Sequence, residues 1–205
     1  MGLLEEGKLL PVMEEFYSLQ GEGFHTGKAA YFVRIGGCDV GCRWCDVKES
    51  WNPTLFQPVP ADDVVSRASA CPAGAVVVTG GEPLSYNLNY LTRKLRKLDL
   101  RTFLETSGSQ PLSGIWNWIC VSPKKGNPPL LEIISMASEL KVIIHDQSDF
   151  LWAAEQAILV SPRCHLYLQP EWSRQKIMMP EVIRFIKDHP QWRISIQSHK
   201  YMNIP

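Results

Sequence analysis

A shortened, laterally open (β/α) barrel is the α/β fold this sequence predicts, and three observations carry it. Short β-rich runs alternate with segments of helical periodicity, which implies βα units and a mostly parallel sheet. The unusual polar and glycine-rich segments follow directly on those runs, at the strand ends where parallel α/β folds bind ligands. The chain has 205 residues, short of the about 250 that a complete eight-fold barrel typically needs. A flat doubly wound sheet is the alternative topology.

Taken in order, residues 30–36 read as the first strand, and the loop that follows it holds Gly36, Gly37, Cys38, Gly41, Cys42 and Cys45. Pro60 before Ala61, Asp62 and Asp63 suits a first helical turn, where a missing amide is harmless and acids complement the dipole. The second strand, 75–79, runs into Gly80, Gly81, Glu82 and Pro83. Leu88, Leu91, Leu95 and Leu98 then recur at helical steps. Strands at 102–105 and 118–121 lead into Glu105-Thr106-Ser107-Gly108 and Ser122-Pro123-Lys124-Lys125, and Gly126 to Pro129 forms a sharp loop. A strand at 140–144 precedes His145 and Asp146, which read as a loop pair, and a helix over 148–158 follows. The strand at 165–168 runs into Gln169-Pro170-Glu171-Trp172, a helix is expected over 180–187, and a last strand over 193–197 leads to Ser198, His199 and Lys200. The tryptophans at 116, 118, 152 and 192 read as core or interface aromatics.

Residues 1–205 are expected to form one domain, since a chain that is 45% hydrophobic can bury a sizeable core. Lys and Arg total 21 against 21 Asp and Glu, so no global field favours nucleic acid or an anionic membrane. The amino-terminal segment carries acids and no long apolar run, which predicts neither a secretory signal nor a membrane span. A cytoplasmic protein is the expectation, and there its six cysteines are thiols or metal ligands. Cys71, Cys120 and Cys164 lie apart beside apolar segments and read as small buried hydrophobes.

Cys38, Cys42 and Cys45 are spaced C-x3-C-x2-C. Three thiolates leave one iron of a 4Fe-4S cluster open, which separates a reactive site from a closed structural one. A zinc site completed by His25 or another residue is the bland alternative; zinc sites usually pair two cysteine hooks, and no second hook is present.

With Trp44 as its aromatic residue, the motif resembles the signature of the radical S-adenosylmethionine superfamily. The resemblance implies that Cys38, Cys42 and Cys45 hold the cluster. It implies further that S-adenosylmethionine chelates the open iron through its amino and carboxylate groups, and that electron transfer breaks a carbon–sulfur bond to give a 5′-deoxyadenosyl radical. Trp44, Cys45, Asp46, Gly80, Gly81, Glu82, Glu105 and Ser107 would then bind the cofactor. Ser122, Pro123 and Lys124 with Gln169, Pro170, Glu171 and Trp172 resemble the later segments that complete its site.

Ser18 to Gly23, Arg34 and the stretch Gln197 to Lys200 together resemble the family of 7-carboxy-7-deazaguanine synthases. That likeness runs from about Glu14 to Pro205. It implies conversion of 6-carboxy-5,6,7,8-tetrahydropterin to 7-carboxy-7-deazaguanine by ring contraction with loss of ammonia, a carbon–nitrogen lyase step that feeds queuosine biosynthesis. By the same resemblance S-adenosylmethionine is regenerated, the enzyme is a homodimer, and a flavodoxin-like protein supplies electrons.

A pterin pocket needs directional polar groups and at least one cation. Leu19, Gln20, Gly21 and Glu22 would meet the amino-pyrimidinone edge. Arg34 and His199 are candidates for the carboxylate, which a guanidinium grips in bidentate fashion. Thr79 would add a hydroxyl, and the carboxylate of Pro205 would close the pocket as the family implies. Arg34 has a second reading, as one half of an ordinary ion pair with a nearby acid.

One departure concerns Mg2+. The family has Thr after Cys-Asp, whose oxygen helps hold the ion, and this chain has Val47; an aliphatic side chain cannot ligate a hard cation. Substrate oxygens, water, Asp46 or Ser50 would have to substitute. Two rivals complete the expectations: a glycyl-radical-enzyme activase, which leaves the Gln20 and His199 segments unexplained, and a non-enzymatic metal-binding module.

Overall fold

The computed structural model describes residues 2–205. Its strands are β1 (Leu9–Leu19), β2 (Ala29–Ile35), β3 (Pro58–Pro60), β4 (Ala75–Gly80), β5 (Arg101–Thr106), β6 (Trp118–Val121), β7 (Glu139–Ile144), β8 (His165–Pro170) and β9 (Trp192–Ile194). Its helices are α1 (Ala61–Ser69), α2 (Asn89–Arg96), α3 (Leu131–Ser135), α4 (Ser148–Ala157), α5 (Gln175–Asp188) and α6 (Ser198–Met202).

All strands join one nine-stranded sheet in the order β3-β1-β2-β4-β5-β6-β7-β8-β9. From β2 onward every neighbouring pair is parallel, while β1 runs antiparallel to both β2 and β3. The ends of the order do not pair with each other, so the sheet stays laterally open, as the length of the chain predicts.

Strand alternation sorts side chains onto two faces. Tyr31, Val33 and Ile35 of β2, Val76 and Val78 of β4, and Leu140, Val142 and Ile144 of β7 join the main core beneath the helices. Their neighbours Ala30, Phe32, Ala75 and Val77 pack with Phe103 in a smaller cluster on the opposite face. Leu88, Leu91 and Leu95 are fully buried, whereas Leu98 falls beyond α2 and is 50% exposed. Cys120 is wholly buried, and Cys71 and Cys164 are half-buried against the core.

Several elements depart from the sequence reading, β3, α3 and α6 among them. β1 was not expected; its alternation is broken where the pairing register shifts between Val12 and Glu14. The helix expected from Pro180 starts at Gln175, with Pro180 inside it. β9 ends at Ile194, which leaves Ser195 to Gln197 as a connection into α6.

Candidate active site

A cavity of about 630 Å³ opens at the carboxyl ends of the parallel strands. Its walls come from the end of β1, the cysteine loop after β2, the loops after β4, β5 and β6, the inner face of β7, and the segments after β8 and β9. Cys38, Cys42 and Cys45 all line it. Burial pushes the Cys38 thiol up, and the backbone amides of Val40 and Gly41 draw it back. Burial raises Cys42 too, opposed by the positive charge of Lys124. Lys124 is tied to Ser122, donating to its carbonyl at 2.5 Å and its hydroxyl at 2.7 Å.

The loop after β4 is pressed against the cysteine loop. A side chain at Gly81 would stand 2.2 Å from the Gly37 carbonyl oxygen and 2.8 Å from Cβ of Cys38, so only glycine fits there. Among the described residues no three Cys, His, Asp or Glu side chains already stand as a metal cage; the three thiols are separate donors around one cavity. His25, the alternative zinc ligand, stacks on Phe103 at 4.5 Å and lines a different, smaller cavity.

The donor set fits a 4Fe-4S cluster and a polar cofactor beside it. Three soft sulfur donors line one cavity, backbone amides and a lysine balance their charge, and the indole Nε1 of Trp44 is buried without a hydrogen-bond partner at the cavity wall. The Trp44 ring stacks on His145 at 5.2 Å, which gives one member of the expected loop pair a packing role.

The remaining residues singled out by sequence separate into two groups. Leu19, Gln20, Gly21, Glu22, Arg34, Asp46, Thr79, Gly80, Glu105, Ser107, Ser122, Lys124, Gln169, Glu171, Trp172, His199 and Pro205 line the same cavity. Glu82, Pro123 and Pro170 do not. Glu82 is fully buried and accepts hydrogen bonds from the Leu84 amide, the Thr106 hydroxyl and both the amide and the hydroxyl of Ser107. Its carboxylate staples two loops and does not line the cavity.

Glu171 caps the turn after β8, accepting from the Ser173 and Arg174 amides at 3.0 and 3.1 Å. Gln169 accepts a 2.6 Å hydrogen bond from Ser195. Trp172 lies under the Lys200 ammonium, 4.8 Å from the ring centroid.

Arg34 forms the ion pair of its second reading. Its Nε donates to Glu14 at 2.6 Å, and the residue also lines the cavity. The chain's last segment folds back onto its first motif: the Ser198 amide and hydroxyl donate to the Gly21 carbonyl at 2.9 and 2.8 Å. A side chain on Gly21 would run into His199, 2.2 Å from its Nδ1, so the glycine permits the close approach. Burial lowers the His199 pKa, and the nearby Glu22 charge opposes that shift. Ser18 donates to the Pro205 carbonyl oxygen at 3.4 Å.

Sequence reasoning missed Lys141, which lines the cavity and bridges Glu22 and Glu105. The available signal was the pair Glu139 and Lys141 alternating with Leu140, Val142 and Ile144, a polar stripe inside an apolar strand. Gln197 and Lys200 also line the cavity and converge on Asp46 at 3.3 and 3.0 Å.

The region around Val47 does not fit Mg2+. The Val47 side chain offers no oxygen, Ser50 is buried and spends its hydroxyl on the Val47 carbonyl at 2.6 Å, and Asp46 is paired with Lys200.

Residues 32–145 match the model of the radical SAM superfamily. A 7-carboxy-7-deazaguanine synthase from Flavobacterium psychrophilum is 52% identical over 202 residues, covering 98% of this chain and 96% of the relative. One from Synechocystis sp. is 46% identical over 195 residues, covering 95% of this chain and 93% of the relative. Among solved structures, QueE from Escherichia coli superposes with a TM-score of 0.82 at 29% identity, covering 96% of this chain and 97% of that one.

Proposed function

The chain belongs to the 7-carboxy-7-deazaguanine synthase family of the radical S-adenosylmethionine superfamily, and from that premise we propose how its cavity is divided between cofactors and substrate. It is a carbon–nitrogen lyase of queuosine biosynthesis that uses a 4Fe-4S cluster and S-adenosylmethionine. The reaction converts 6-carboxy-5,6,7,8-tetrahydropterin to 7-carboxy-7-deazaguanine and ammonia. When bound, the cluster and S-adenosylmethionine supply reductive one-electron cleavage of a sulfonium carbon–sulfur bond and so a hydrogen-abstracting carbon radical.

Cys38, Cys42 and Cys45 would hold the cluster, with Lys124 offsetting thiolate charge at Cys42. Gly80, Gly81 and Ser107 bring backbone and hydroxyl groups to the cofactor, positioned by Glu82 from behind. Trp44, Asp46, Ser122, Gln169, Glu171 and Trp172 complete the cofactor side.

On the substrate side, Leu19 to Glu22 meet the amino-pyrimidinone edge. Arg34 and His199 grip the carboxylate and Thr79 adds its hydroxyl, with Pro205 at the margin. The observation that carries this reading is the junction of α6 with the end of β1, where Ser198 binds Gly21 and Gln197 reaches Glu22 at 2.9 Å. The segments that an activase or a metal-binding module would leave idle are the ones that build this wall.

Magnesium finds no side-chain oxygen at Val47, so the protein supplies no Mg2+ site there. We further take residues 1–205 as one domain of a cytoplasmic homodimer that draws electrons from a flavodoxin-like donor. Among the described residues no helix is long and apolar enough to cross a membrane.

The test is 5′-deoxyadenosine formation by reconstituted protein under reductant, measured with and without the carboxypterin. Dependence on the pterin supports the reading. Deoxyadenosine that accumulates while the pterin stays intact contradicts it.

A further inference from the structure

Lys141, on the inner face of β7, answers to no motif in the sequence, yet its side chain is only 6% exposed and lies in the cavity wall. Its ammonium donates to Glu22 Oε2 at 2.7 Å and to Glu105 Oε2 at 2.9 Å. An ammonium has three N–H donors, and no protein acceptor takes the third among the described residues. Each carboxylate oxygen keeps a spare lone pair. The wall therefore presents a row that reads acceptor, donor, acceptor.

The row is held at both ends. Gln197 Nε2 donates to the other Glu22 oxygen at 2.9 Å, and Gln20 Nε2 to the other Glu105 oxygen at 3.3 Å. Burial alone would push the Glu22 carboxyl up, but the Lys141 charge and the hydrogen bonds from Lys141 and Gln197 outweigh it and hold the group at about 2. Glu22 is thus an acceptor throughout the neutral range.

We propose that Glu22, Lys141 and Glu105 read the edge of the reduced pterin that runs N3–H, C4=O, N5–H, with Lys141 as the specificity-determining donor to the C4 carbonyl. That edge is donor, acceptor, donor, the complement of the row. N5 carries a hydrogen in the reduced ring, whereas a fully oxidised pterin turns a lone pair toward a carboxylate. A 4-amino pterin turns N–H toward an ammonium. The 7-deaza product carries carbon where N5 stood, so it loses one partner of the row and is held less tightly than the substrate.

The inference rests on the reading that this cavity takes a carboxytetrahydropterin. It also moves Glu105 from the cofactor side, where the sequence resemblance puts it, to the substrate side.

The experiment is anaerobic calorimetric titration of the cluster-loaded enzyme, with S-adenosylmethionine and without reductant. The probes are 6-carboxytetrahydropterin, its 2,4-diamino counterpart and oxidised 6-carboxypterin. The wild type is expected to bind the first at least roughly 100-fold tighter than either of the others, the range expected when a hydrogen bond to a buried charge is lost. Lys141→Met should weaken the first by a similar factor and bring the 2,4-diamino compound within a few-fold of it, with iron content unchanged.

Equal binding of the diamino compound by the wild type, or discrimination retained by a folded Lys141→Met protein, overturns the inference and leaves the functional reading standing. A wild type that binds none of the three overturns that reading, and the inference with it. Where the single variant does not fold, Lys141→Met with Glu105→Gln removes the ammonium together with one of its two carboxylate partners, leaving one buried charge where the single variant leaves two, and takes its place in the same titration.

Discussion

The backbone amide of Ser107 donates a 2.8 Å hydrogen bond to Oε2 of Glu82, joining the loop after β5 to the loop after β4. Both loops line the cavity through Gly80, Gly81 and Ser107, and Glu82 lies fully buried behind them. Glu82→Ala would leave the Leu84 amide, the Thr106 hydroxyl and the Ser107 amide without their acceptor. The expected cost is about 3 kcal/mol or more of stability, read as a lower urea midpoint, together with weakened S-adenosylmethionine binding. Unchanged stability would show that the carboxylate does not staple these loops.

Cys42→Ala should remove cluster incorporation and all turnover while the circular dichroism of the chain stays native. The cysteine loop lies outside the main core, whose residues come from the strands and the helices behind them. Iron analysis after anaerobic reconstitution checks this, and a full complement of stably bound iron in the variant would contradict the ligand assignment.

Val47 predicts that turnover does not require a magnesium ion held by the protein. Chelation with excess EDTA should change the rate of the wild type by less than about twofold, since the side chain at this position supplies no oxygen. Val47→Thr restores a hydroxyl and should make the rate rise with added Mg2+. A strong loss of wild-type activity on chelation, reversed by Mg2+, would overturn this.

Glu139 predicts a pH dependence of stability. It is buried at the start of β7, where it accepts hydrogen bonds from the Phe24 amide and the Trp118 indole, each at 3.2 Å. Burial, helped by the negative charge of Glu105, pushes its carboxyl up to about 7. A group raised in the folded state favours folding below its unfolded pKa, and that contribution is lost as pH rises through the folded value. Stability from this residue therefore declines between the ordinary carboxylate range and about pH 7. Glu139→Gln should flatten that decline and raise the melting temperature at pH 8 relative to wild type, at about 2–4 °C per kcal/mol for a chain of this size. Parallel melting curves of the two proteins across pH 5 to 8 would count against the assignment.

What was legible in the sequence was whatever local chemistry enforces. The parallel strands are rich in apolar residues because one face packs into the main core and part of the other into a smaller cluster, and they run into glycine or polar residues at one rim. β1 escaped because the register shift at Val12 and Glu14 breaks its alternation. β3 escaped because its two prolines argue against a strand, although prolines are tolerated at a sheet edge such as this one.

The cysteine loop and the segments around Gln20 and His199 were visible as motifs. Their meeting was not, since the Ser198 to Gly21 contact spans 177 residues. Lys141 was hidden by its setting, a charged side chain in an otherwise apolar strand whose partners lie on two distant elements.

The most direct test of the account is product analysis with 6-carboxytetrahydropterin carrying 15N at N5, incubated anaerobically with iron–sulfur-reconstituted protein, reductant and S-adenosylmethionine. The account predicts 7-carboxy-7-deazaguanine free of the label, 15N recovered as ammonia, and S-adenosylmethionine acting over many turnovers. Purified protein that holds one stable zinc, refuses reconstitution and returns the labelled pterin unchanged would contradict it.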